Sequence, residues 1–163
     1  MSDITILVLE DEPEVRAAIA RDLEIFADSF RIELSDEADD ARAVIAEVQD
    51  GGGRVGLILC DHLLPGQRGT EFLIELDHDP ATAPMRKVLL TGQAGHEDTI
   101  RAINEGGLDH YIAKPWTPEE LHAVVRQQLT EFVLAETEDL LPYVNILDGP
   151  RLLEAISERG WDR

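Results

Sequence analysis

Basic residues are scarce in this chain. Only 14 lysines and arginines stand against 34 aspartates and glutamates, a formal net charge of −20 at pH 7. Nucleic acid and anionic lipid both need a basic surface, so direct binding to nucleic acid or to a membrane is not expected. Cations, or partners with basic patches, suit such a surface better, although solubility alone explains the bulk charge. There is a single cysteine, Cys60, so no internal disulfide can form. It falls within an apolar run and is expected to be a buried small hydrophobe. The opening "MSDITILVLEDE" lacks a basic stretch, and its apolar run is too short for a signal peptide. No run is long enough to span a bilayer. A cytoplasmic protein is expected. Internal repeats, low-complexity segments, a dinucleotide-binding glycine fingerprint and metal spacing among His78, His96, His110 and His122 are also missing.

What is present is an alternation of two patterns. The 163 residues suggest one domain with an appendage. "ITILVL" (4–9) and "VGLILC" (55–60) are continuous apolar runs, as in strands buried on both faces. "FRIEL" (30–34), "RKVLLT" (86–91) and "DHYIA" (109–113) read as three further strands. Helical patterns follow each. The first begins at Pro13, with Val15, Ile19, Leu23 and Phe26 at helical spacing. The second is capped by Ser35 or Asp36, and the third, from Gly69, by Thr70. The fourth is "EDTIRAINEGG" (97–107). The fifth has Thr117 as cap, Pro118 at its first position and Glu120 in the capping-box place. Five strand–helix units imply an α/β fold with a parallel sheet, helices on both faces and right-handed crossovers.

In such a sheet, ligands gather at the carboxyl ends of the strands. The polar residues that end the runs are Glu10 and Asp11, Asp61, Thr91 and Lys114. Strand interiors disfavour aspartate, and a lone buried carboxylate is costly to keep ionised, so the place of Asp61 needs a reason. If the first and third strands are neighbours, Glu10, Asp11 and Asp61 lie close and repel, and their proton affinities rise unless a cation intervenes. A hard, oxygen-seeking ion such as Mg²⁺ answers that need. A carboxylate can attack phosphorus, while a metal, a lysine and a hydroxyl neutralise and hold the phosphoryl oxygens.

These segments also carry a resemblance. "ILVLEDEP", "LILCDHLLPGQRG", "VLLTG" and "YIAKPW" resemble the signature segments of bacterial response-regulator receiver domains, over about residues 3 to 130. The resemblance implies a flavodoxin-like, doubly wound five-stranded sheet of order 2-1-3-4-5 with five helices, the order of the chemotaxis regulator in this family. Residue by residue, it implies Asp61 as phospho-acceptor. Glu10 and Asp11, with Asp61 and the backbone carbonyl of Leu63, become the Mg²⁺ ligands. Thr91 is the hydroxyl that turns toward the phosphoryl group, Lys114 its ion-pair partner, Tyr111 the aromatic switch, and Pro115 the proline often joined by a cis bond. Glu10 stands where aspartate is more usual. Leu63 and Gln93 occupy places that tune loss of the phosphoryl group, and an apolar Leu63 predicts a long-lived phosphorylated state. Gly66 and Gly69 are expected to serve loop geometry and His62 to be a loop histidine. Trp116 fits either packing or a partner surface.

The functional expectation is a stand-alone response regulator of a two-component or phosphorelay pathway. It is a signalling domain rather than an enzyme, and supports only its own phosphorylation and dephosphorylation. A sensor histidine kinase or phosphotransfer protein supplies the phosphoryl group. An unidentified downstream protein reads the changed face between about Glu97 and Arg126. A receiver-like adaptor independent of phosphate is the alternative. An aspartate-nucleophile phosphohydrolase is disfavoured, because such enzymes place D-x-D on the first strand and this chain has "EDE". The receiver is expected over 1–135 and a helical extension over 136–163. In that tail, Leu152, Leu153 and Ile156 are expected to form one apolar side that docks on a receiver, its own or a second copy, and supports a homodimer.

Overall fold

The computed structural model describes residues 3–92, 103 and 107–161. Its elements are β1 (Ile4–Leu9), α1 (Pro13–Asp22), a 3-10 turn (Leu23–Phe26), β2 (Arg31–Ser35), α2 (Ala38–Asp50), β3 (Arg54–Asp61) and α3 (Gly69–His78). Then follow β4 (Arg86–Thr91), β5 (His110–Ala113), α4 (Pro118–Glu136), a second 3-10 turn (Leu141–Tyr143) and α5 (Gly149–Trp161). The helix expected over 97–107 lies outside the described residues, apart from Ile103 and Gly107.

The five strands are parallel, as the strand–helix alternation predicts, and ordered β2-β1-β3-β4-β5, the doubly wound order that the resemblance implies. The apolar runs are continuous because β1 and β3 are sheet-central and covered on both faces. On one face Ile6, Val8, Leu57, Leu59 and Leu90 join residues of α1 and α4, among them Ile19, Val125 and Leu129. On the other, Leu7, Leu9, Ile58 and Cys60 meet Ala41 and Ile45 of α2 and Phe72 and Leu73 of α3. Cys60 is fully buried, as its apolar setting predicts. The register pairs Leu9 with Cys60, Asp61 with Leu90 and Thr91 with Ala113, so the polar strand ends form one edge.

Several helix starts differ from expectation. Ser35 belongs to β2, where its carbonyl accepts from Glu10 N at 3.0 Å, and Glu37 precedes α2 instead. Thr70 is a buried first-turn residue of α3, whose preceding residue is Arg68. The expected continuous first helix ends at Asp22 and tightens into the 3-10 turn. At α4 the expected capping box is formed: Glu120 N donates to Thr117 Oγ1 at 3.1 Å and Thr117 N to Glu120 Oε2 at 3.5 Å. Among the described residues no helix is long and apolar enough to cross a membrane.

The tail folds back on its own chain. Leu140, Tyr143, Leu147 and Leu152 are buried in the α1/α4 core, and Tyr143 stacks on Phe30 at 5.6 Å between ring centroids. Arg159 of α5 donates to Leu134 O at 2.7 Å, Thr137 O at 2.8 Å and Glu138 O at 3.1 Å, satisfying carbonyls that the end of α4 leaves open. Asp148 N donates to Thr130 Oγ1 at 3.1 Å. One expectation needs correction. Leu152 is fully buried, but Leu153 is 51% exposed, because adjacent helical residues face about 100° apart and only i, i+3 and i, i+4 pairs share a side. Leu152→Ala should therefore cost about 2–4 kcal/mol in urea denaturation, and Leu153→Ala less than about 0.5 kcal/mol. Equal small losses would contradict the docking.

Candidate functional site

Parallel strands deliver their ends to one place. β1 runs out into Glu10 and Asp11, β3 ends in Asp61, β4 ends in Thr91, and Lys114 follows β5. One carboxylate oxygen from each of Glu10, Asp11 and Asp61 lies within 4.8 Å of the others. Lys114 Nζ donates to Asp61 Oδ1 at 2.8 Å and lies 3.5 Å from Glu10 Oε1. Glu10 is fully buried, and Asp61 and Thr91 nearly so. Asp11 and Lys114 are half-buried, so the site meets solvent on their side.

The electrostatics follow from that geometry. Burial first, then the neighbouring negative charge of Asp61, push the Glu10 carboxyl up from 4.5 to about 7, against the opposing pull of Lys114. Burial by itself would lower the Lys114 ammonium, but its hydrogen bond to Asp61 and the charges of Asp61 and Glu10 outweigh it and raise it above the ordinary lysine value. Lys114 pairs with Glu10 and Asp61, and Asp11 adds a third carboxylate within 4.8 Å of theirs, so the cluster with all three acids ionised carries two formal negative charges in excess of that ammonium.

The backbone frame is equally specific. His62 N donates to Leu90 O at 3.1 Å, Gly69 N to His62 O at 2.8 Å and Lys114 N to Thr91 O at 2.9 Å. A Cβ on Gly69 would stand 2.0 Å from the Asp61 carbonyl oxygen, so only glycine lets α3 start against the end of β3. Gly66 has φ +81°, the left-handed geometry its loop requires. The Lys114–Pro115 bond is cis. Tyr111 is 39% exposed and stacks on His110 at 6.2 Å. Leu63 is exposed in the loop after Asp61, whereas His62, read as a loop histidine, is buried there. Trp116 packs against the α1/α4 core. Gln93 and most of the segment from Glu97 to Gly107 lie outside the described residues.

Sequence reasoning missed Arg16. Its Nη1 donates to Glu10 O at 2.8 Å and to Asp11 O at 3.5 Å, fixing the turn that aims both acids. A lone arginine in the first turns of α1, among acidic residues, was the available signal.

The fold and these strand-end groups define a doubly wound α/β domain with an acid–lysine centre. The family profile described as the response regulator receiver domain matches residues 6–126, and the chain belongs to that family. It is 36% identical over 129 residues to the hydrogenase transcriptional regulatory protein HoxA of Cupriavidus necator, covering 78% of this chain and 25% of that protein. It is 32% identical to the phosphate regulon transcriptional regulatory protein PhoB of Pseudomonas aeruginosa, covering 95% of this chain and 62% of that protein. The chain thus spans only part of each of these relatives. A CheY-like response regulator receiver domain protein from Methanospirillum hungatei superposes with a TM-score of 0.66 at 27% identity, covering 78% of this chain and 94% of that one.

Glu10 holds its proton more tightly folded than unfolded. Between about pH 4.5 and 7 the native state therefore carries the extra proton, and stability falls as pH rises. In EDTA, urea denaturation from pH 5 to 7.5 should show this fall, and Glu10→Gln should reduce the slope; equal slopes would refute the assignment. Gly69→Ala should destabilise by about 1–3 kcal/mol in the same measurement and weaken the site, since the added methyl must displace the Asp61 backbone.

Proposed function

We propose that this chain accepts a phosphoryl group on Asp61, with Mg²⁺ as cofactor, from the phosphohistidine of a sensor histidine kinase or a phosphotransfer protein. The observation that carries the reading is the cluster of three acids, with Glu10 and Asp61 buried, which the single ammonium of Lys114 cannot balance once all three are ionised. The donor set is all hard oxygen and fits Mg²⁺. Glu10, Asp11, Asp61 and the backbone carbonyl of Leu63 would hold it. Bound there, the ion supplies neutralising charge for the acids and for the incoming phosphoryl oxygens.

The protein groups then divide the work. An Asp61 carboxylate oxygen forms the new bond to phosphorus as the phosphorus–nitrogen bond to the donor histidine breaks, and the imidazole leaves with the electron pair. Lys114, already 2.8 Å from Asp61 Oδ1, pairs with a phosphoryl oxygen. Thr91, at the end of the adjacent strand, turns its hydroxyl toward another. Tyr111, exposed in this structure, moves inward into the space Thr91 leaves. The face from about Glu97 to Arg126 changes with it and is read by a downstream protein or by a second copy in a homodimer. Output through protein contact, rather than nucleic acid, is supported by the net charge of −20. The apolar Leu63 at the mouth favours a long-lived acyl phosphate.

Incubation with Mg²⁺ and acetyl phosphate should add one phosphoryl group to the intact mass. The adduct should be lost in Asp61→Asn and in EDTA. A folded, Mg²⁺-binding protein that takes no adduct would refute the acceptor role and leave a phosphate-independent adaptor.

A further inference from the structure

Resting on that reading of the site, we infer that Arg42 is a positioning residue: it clamps the loop after Asp61, residues 62–68, to α2 and α3, and thereby sets metal affinity and the lifetime of the acyl phosphate. Arg42 projects from α2, outside the acid–lysine set. Its guanidinium holds Glu75 of α3 by two bonds, Nε to Oε2 at 2.8 Å and Nη2 to Oε1 at 2.8 Å. Nη2 also donates to Gln67 Oε1 at 2.6 Å, and Nη1 to Asp39 Oδ1 at 2.7 Å. The same group lies over the Phe72 ring, 5.0 Å from its centroid. One planar fork therefore joins a helix on each side to the loop between β3 and α3.

The loop has reason to need this. At its base it is tied by the His62 and Gly69 backbone bonds, next to Asp61. Its outer side, at Pro65, Gly66 and Gln67, faces an open cleft of about 540 Å³ shared with Glu37 and Glu71, rather than packed side chains. Leu64 of this loop packs on the apolar core, and beyond it the outer part of the loop is held across the cleft by Arg42, through Gln67. Leu63, the proposed carbonyl ligand, rides on this loop with its side chain exposed. The bidentate pair lowers the Glu75 carboxyl below its ordinary value, chiefly through the hydrogen bond from Arg42, so the clamp stays charged at neutral pH. Loosening it displaces Leu63 and admits water. The reaction that then accelerates is hydrolysis: a water oxygen bonds to phosphorus, the bond to the Asp61 oxygen breaks, and phosphate leaves with the carboxylate restored.

The test uses the full chain with Arg42→Ala, Arg42→Lys and Glu75→Gln. Arg31→Ala, which breaks the exposed Arg31 pairs with Glu33 and Glu47, serves as the control. Calorimetry reads Mg²⁺ affinity, and intact mass reads decay of the adduct at fixed Mg²⁺. Arg42→Ala and Glu75→Gln should weaken Mg²⁺ binding by about tenfold and shorten the adduct's half-life by a similar factor. Arg42→Lys, which keeps the charge but not the fork, should fall between, and Arg31→Ala should match wild type. Wild-type affinity and half-life in Arg42→Lys and Glu75→Gln would overturn the inference, whatever their melting temperatures. If wild type takes no phosphoryl group, the acceptor reading fails while the Mg²⁺ titration still decides the clamp: weakened binding supports it and unchanged binding overturns it.

Discussion

Three carboxylates and one lysine meet at the strand-end edge, with Glu10 and Asp61 buried and Asp11 and Lys114 open to solvent on one side, and much of this molecule is arranged around that encounter. The Lys114–Asp61 contact at 2.8 Å is short enough to hold the cluster together, yet one ammonium cannot balance three acids. Glu10 registers the deficit: fully buried beside Asp61, it holds a proton to about pH 7. A parallel sheet is the means of creating this imbalance, because aligned strands place their ends side by side and the covering helices remove solvent. Proton affinities perturbed by burial and a specific charged neighbour cluster at functional sites.

Around the cluster, short local devices restrict each loop. Arg16 ties the turn after β1, Gly69 allows α3 to begin against the Asp61 carbonyl, and the Thr117–Glu120 capping box starts α4 soon after Lys114. Arg42 does the corresponding service for the outer half of the loop after Asp61. The tail restrains the opposite side. Leu140, Tyr143, Leu147 and Leu152 complete the apolar core between α1 and α4, and Arg159 caps the end of α4. That side of the domain is covered by the chain itself, while Leu63 at the strand-end edge and Tyr111 on β5 stay exposed.

Much of this was legible in the residues alone. Strand runs, their order of alternation with helices, and the polar residue closing each run identified the sheet and its acid–lysine edge. The Thr117 cap was readable because a capping box is a local pattern. The starts of α2 and α3 were not. Ser35 looks like a cap, but its backbone is engaged by Glu10 across the sheet; Thr70 looks like one, but Gly69 already lies within the helix. At Ser35 a contact between distant segments outweighed a local preference, and at Thr70 the close fit of Gly69 against the end of β3 moved the helix start one residue earlier. Leu153 misled for a simpler reason: an apolar residue next to Leu152 shares its composition but not its side of the helix.

The sequence by itself determined the class of fold and the chemical identity of the strand-end groups, because hydrophobic period and the polar residue that ends each run are local properties. The tertiary structure alone decided how those groups act on one another. Proton affinity at Glu10, the choice of Asp61 as the partner of Lys114, the fit of Gly69 and the reach of Arg42 across two helices depend on distances between residues far apart in the chain. Burial and charge act through space, and the chain order does not carry that information.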